Sequence, residues 1–141
     1  MSDRARRLLL TADGVFLTLI GGIQVVFEFA AYYRGAGPYG DLFKGSPYVI
    51  GWVEAHGFAF LIGVLLLAVA RKDLRRFWHA FAGAVHVLLG GANIVFWASF
   101  SAFGMVPMGV VATVAHVVFV VLHAAAHVRR RQPAALAPAP E

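Results

Sequence analysis

Residues 77–100 read FWHAFAGAVHVLLGGANIVFWASF, a run without a single Asp, Glu, Lys or Arg. A membrane-spanning helix needs about 20 mainly apolar residues, so the stretch predicts one long helix over 77–100. His79, His86 and Asn93 recur at seven-residue intervals and therefore fall on one helical face. Ala82, Gly83, Leu89 and Gly90 share that face, and all but Leu89 are small. A seam of polar and small residues down an apolar helix marks the side that meets other helices in lipid.

The rest of the chain has the same character. Of 141 residues, 60% are hydrophobic and only 13% charged, whereas a soluble domain carries about 25% charged residues. The chain has no cysteine, which removes disulfides, thiolate ligands and thiol catalysis. Ten of the 12 basic residues lie in three clusters: Arg4, Arg6 and Arg7; Arg71, Lys72, Arg75 and Arg76; and Arg129, Arg130 and Arg131. Each cluster borders an apolar run. The +5 net charge is therefore a positive-inside signal, reinforced by attraction to anionic headgroups, and not a nucleic-acid footprint.

Reading outward from residues 77–100, residues 1–13 form a basic cytoplasmic leader. Spans are predicted over 14–33, 48–70, 77–100 and 108–128. The first span is longer than a signal-peptide core, contains Glu28 and lacks a small-x-small cleavage site, so it reads as retained. The Gly- and Pro-containing stretch Arg34 to Pro47 reads as an irregular outer loop, RKDLRR at 71–76 as a tight basic turn, and 129–141 as a basic, then Ala/Pro-rich disordered tail. The predicted fold is all-α: an integral membrane four-helix bundle, antiparallel up-down-up-down, with both termini cytoplasmic, in a bacterial inner membrane. Tyr32, Tyr33, Tyr39, Tyr48 and Trp52 mark the outer boundary, and Phe77 and Trp78 the inner one.

The polar residues inside the spans are the candidate site. A turn centred near Gly104 and Met105 predicts His86 level with His123, and Asn93 level with His116. Glu28, Glu54, His56, Asn93 and His116 all count to the outer half of the membrane. An ionised side chain deep in a span costs about 2.5–3.5 kcal/mol on insertion scales, so such residues usually face the interior. The expectation is a single outer cluster of Glu28, Glu54, His56 and His116, with His86 and His123 about 10 Å deeper. His79 and His127 read as interfacial residues solvated beside arginines. Asn93 reads as an interhelical hydrogen-bonding residue.

Three chemistries suit these residues: ligation of a b-type haem, a divalent metal site, and proton relay. No HExxH motif, Ser-His-Asp pattern, phosphate loop or dinucleotide fingerprint is present. The expected function is binding of a cofactor, metal or small hydrophobic ligand such as a quinone within the bundle, in redox or proton-linked chemistry. The alternative is a non-catalytic accessory subunit of a homo-oligomer or larger membrane complex, with its polar residues as interhelical glue. The size, the four spans, the glycine-containing first span and the extended first outer loop resemble the small bacterial DoxX-like membrane proteins. That resemblance implies the architecture and assigns no site.

Overall fold

The computed structural model describes residues 1–128. These form α1 (Asp3–Arg34), α2 (Gly40–Phe43), α3 (Val49–Lys72), α4 (Arg76–Val95), α5 (Trp97–Ala102) and α6 (Val106–His127). The tail over 129–141, including the Arg129–Arg131 cluster, lies outside the described residues. Helices α1, α3, α4 and α6 are each long and apolar enough to cross a membrane, which is compatible with a multi-pass membrane protein.

The leader is helical from Asp3. Ser2 caps α1 by accepting from the Ala5 N–H, and α1 runs for 32 residues before Gly35 ends it at φ 64°. At about 1.5 Å per residue such a helix is about 48 Å long, well beyond the hydrocarbon thickness. Residues 3–13 therefore supply whole turns of α1, a point that matters for the site.

Two close pairs make up the bundle: α1 packs chiefly on α3, and α4 chiefly on α6. Glycine makes the first pair close. A Cβ on Gly14 would lie 2.9 Å from the Gly63 carbonyl oxygen, one on Gly21 2.7 Å from that of His56, and one on Gly63 2.5 Å from the Thr18 nitrogen. Partner numbers fall along α3 as they rise along α1. Apolar side chains fill the space between the pairs: Leu10, Leu17, Leu66 and the small Ala82 are buried there, with Phe16, Trp78 and Leu89 packed against them.

The burial pattern is inverted relative to a water-soluble bundle. Helix α6 buries only Gly109, His123 and Ala126, while Val110, Val111, Val114, Val117, Val118 and Val121 are exposed. A water-soluble helix would turn its valines inward.

The stretch 77–100 departs from the expected single helix. It breaks at Phe96 into α4 and the short α5. The break lets the chain turn back early, so that Phe100 packs over Gly109, where a Cβ would come within 2.7 Å of the ring. At the same end, the outer loop folds inward and is not irregular throughout. Its helix α2 caps the α1/α3 pair, and Tyr39 and Phe43 join Ala31 and Val49 in a buried cluster against Trp52. The Tyr39 hydroxyl accepts from Gln24 at 2.9 Å, and burial raises the phenol above its ordinary pKa of 10.0.

Candidate functional site

The centre of the site is Asp13, a residue the sequence assigned to the leader. Its side chain is fully buried. Oδ1 lies 2.7 Å from His86 Nε2, and Oδ2 lies 2.9 Å from His123 Nε2. Each of those imidazoles holds another through its far nitrogen. His86 Nδ1 is 2.8 Å from His116 Nδ1, and His123 Nδ1 is 3.0 Å from His79 Nδ1. Five side chains from three helices therefore form one line: His79, His123, Asp13, His86 and His116. All but the half-buried His116 are fully buried.

Local sequence explains the arrangement. On α4, His79, Ala82, His86 and Gly90 recur at helical spacing and are that helix's buried residues. On α6, His116 sits over Gly90, where a Cβ would lie 3.0 Å from the His116 Cβ. His123 sits over Gly83 at 3.4 Å. Gly90 makes room for the imidazole of the facing helix, while Gly83 leaves His123 at ordinary contact distance. Phe16 of α1 packs against His86, His116 and Phe119, which covers the His86–His116 arm of the line.

The hydrogen-bond network assigns the tautomers. An ionised carboxylate only accepts, so with Asp13 ionised both His86 and His123 donate from Nε2. Neutral rings then accept at Nδ1, from His116 Nδ1–H and from His79 Nδ1–H. Every contact is satisfied with four neutral imidazoles and one negative charge. Both arms point their protons inward at Asp13, and the outermost nitrogens, Nε2 of His79 and of His116, are left as bare acceptors. The His79 Nε2 atom is buried and has no partner.

Of the two expected rungs, His86 with His123 forms as a stack bridged by Asp13, and Asn93 with His116 does not form. His116 meets His86 rather than Asn93, and His123 bonds His79, while His86 stacks on His123 with ring centroids 6.3 Å apart and Asp13 joining them. The cause is α5. The chain leaves α4 at Phe96 and spends six residues on that connector, so the turn is not centred at Gly104 and Met105. The backbone level moves by three residues, less than one helical turn, since His116 lies over Gly90 and not Asn93; the side-chain partner of His116 thereby changes by one seven-residue period of the seam.

The expected outer cluster also divides. Glu28, whose side chain is fully buried, accepts at Oε1 from His56 Nδ1–H, and its Oε2 has no partner. His116 belongs instead to the Asp13 line. Glu54 is exposed and forms no hydrogen bond or ion pair among the described residues. Two residues along a helix is a rotation of about 200°, so Glu54 faces away when His56 faces in; equal depth does not bring side chains together. Asn93 is half-buried in the last turn of α4 and likewise bonds to no other described side chain. His127 is exposed and donates from Nδ1 to the Arg76 carbonyl at 3.3 Å, whereas His79, expected beside it as a solvated interfacial residue, is fully buried and bonded to His123.

The signal for Asp13 was present in the sequence. It lies between LLLTA at 8–12 and the apolar run from Gly14, so an acid is embedded in apolar sequence. The stripe of Gly21, Gln24 and Glu28, extended inward two turns, passes through Leu17 to Asp13.

A haem between two of these histidines needs a slot the width of a ring. The His86 and His116 rings are instead in direct contact, and His56 is bonded to Glu28. The nitrogens face one another in pairs, and among the described residues no group of three or more His, Cys, Asp or Glu is placed to hold a metal ion. Comparison with protein-family models, with curated proteins and with solved structures finds no match.

Proposed function

We propose that this chain is a proton-linked integral membrane protein of a bacterial inner membrane, and that Asp13 with its four histidines takes up and releases a single proton. The helices run antiparallel with both termini cytoplasmic. Support for the topology comes from the opposed numbering of the α1 and α3 contacts and from the two basic clusters among the described residues, at the start of α1 and around the turn from α3 to α4. The bacterial setting rests on the architectural likeness to DoxX-like proteins. The observation that carries the function is the unbroken line from His79 to His116 with a carboxylate at its middle.

Transfer follows from the tautomers. A proton arriving at His79 Nε2 releases the Nδ1 proton to His123 Nδ1, and His123 passes its Nε2 proton to Asp13 Oδ2. One proton has entered, the charge on Asp13 is neutralised, and both imidazoles of the inner arm have reversed tautomer. The outer arm loads in the same way from His116 through His86. A proton loaded by one arm leaves by that arm unless both rings of the other arm first reverse. The line is therefore a proton store with two doors rather than a simple wire. Titratable groups placed inside a membrane bundle in this way are the usual material of proton relays.

Histidine 15N NMR of the purified protein across a pH titration tests this. Among the four histidines of the line, the expected result is two Nε2–H and two Nδ1–H imidazoles at high pH, with His79 and His123 or His86 and His116 reversing together as Asp13 gains its proton. In Asp13→Asn the concerted change should vanish while helix content is retained. Four histidines titrating independently would instead support the accessory reading, in which these residues only join helices.

A further inference from the structure

A second feature lies outside the proton store. Between the outer ends of α1 and α3 is a cavity of about 400 Å³, within the usual size range of small-molecule sites. Glu28, Phe29, Tyr32 and Tyr33 of α1 line it on one side, and Val49 and Val53 of α3 on the other. Its character is set by one acid among rings. Glu28 is fully buried, His56 occupies Oε1, and Oε2 is left without a donor. A buried carboxylate oxygen without a partner is costly, so the unfilled valence calls for a donor from elsewhere.

We propose that this cavity binds a lipophilic organic ammonium, whose N–H donates to Glu28 Oε2 while its carbon skeleton lies against Phe29, Tyr32 and Tyr33. Three observations select that chemistry. The missing partner of Glu28 is a hydrogen-bond donor. No Lys or Arg lines the cavity to supply positive charge from the protein. The wall carries three aromatic rings, Tyr32 edge-on to Tyr33 and Phe29 stacked on Tyr33, and aromatic faces attract cations strongly once water is excluded. A neutral hydroxyl would also fill Oε2, but it gains much less from the ring faces. Phe29 and Tyr33 are 48% and 72% exposed, so an amphiphile in the surrounding lipid can reach the rings. The site shares no residue with the Asp13 line, and the proposal stands independently of it.

Isothermal titration calorimetry on the full chain in a neutral maltoside detergent tests the proposal with three probes: phenethylammonium, the neutral 3-phenyl-1-propanol and trimethylhydroquinone. The ammonium should bind at least about tenfold more tightly than either neutral probe. Glu28→Gln should remove most of that preference. Tyr33→Leu, at an exposed position that the fold does not need, should weaken the ammonium several-fold and leave the alcohol little changed. Absence of ammonium binding to the unaltered protein, equal binding of ammonium and alcohol, or full affinity in Tyr33→Leu would each overturn the proposal. Preference for trimethylhydroquinone would overturn it in favour of a neutral hydroxyl ligand.

Discussion

The two helix pairs solve the same packing problem differently. In α1/α3 the backbones touch: Gly14, Gly21 and Gly63 leave no room for even a methyl group. In α4/α6 the glycines lie under imidazoles, and the facing helix fills the space with His116 and His123. One pair gains van der Waals contact, and the other gains a row of titratable rings. The acids follow the same division. Asp13 and Glu28 belong to α1, whereas four of the five histidines that bond to other side chains lie on α4 and α6. Contact between the pairs is thinner than within them, so Asp13, which accepts from His86 and from His123, is also a buried polar tie from one pair to the other.

Removing that tie should produce the largest effect. Asp13→Ala strands two buried Nε2–H donors, and breaking a buried ion pair or its equivalent costs about 3–5 kcal/mol. Thermal unfolding in detergent should show it as a large fall in Tm. A fall no greater than that of a surface substitution would mean that apolar packing alone joins the pairs. Gly63→Ala comes next. The added methyl meets the Thr18 nitrogen and Oγ1 at 2.5 Å and the Gly14 carbonyl oxygen at 2.8 Å, so backbone has to move. Overpacking of this kind costs about 1–3 kcal/mol.

Gly83→Ala is the sharpening control in the other pair. Its methyl would meet only the His123 Cβ, at 3.4 Å. The expected change is within about 0.5 kcal/mol, as for substitutions that disturb no special feature. If Gly63→Ala and Gly83→Ala destabilise equally, the distinction between the pairs fails. The smallest effect belongs to the turn that links the pairs, where Asp73 accepts from Trp78 Nε1–H at 2.9 Å and from the Arg75 backbone N–H at 3.0 Å. The Trp78 bond first, then the Arg75 contacts, hold its carboxyl below the ordinary 3.8. The folded pKa is thus the depressed one. Its contribution is full above about 3.8 and is lost as pH falls through the lower folded value. Asp73→Asn should flatten that acid limb slightly and leave neutral-pH stability nearly unchanged.

The sequence was legible wherever composition and period suffice. The four apolar helices follow from run length, and the seam of His79, Ala82, His86 and Gly90 from spacing alone. The partners across the seam were not legible, because the break at Phe96 has no Pro or Gly to announce it and α5 resets the count. Asp13 was missed because counting apolar residues from Gly14 puts the boundary beside it, although LLLTA precedes it. Glu54 was grouped with Glu28 on depth, which does not record the direction in which a helix turns its side chains.

The short helix α5 has a consequence beyond the turn it makes. The α4 seam repeats every seven residues, and so do His116 and His123 on α6. Two combs with equal tooth spacing can also mesh after sliding by one tooth, so the histidine spacing by itself does not choose the alignment. The length of α5 does. Slid by one tooth, His79 would lose His123, His116 would lose His86, and a line of five groups would shrink to three. The six residues of this connector thus act as an index pin, fixing how many protonatable groups stand in series.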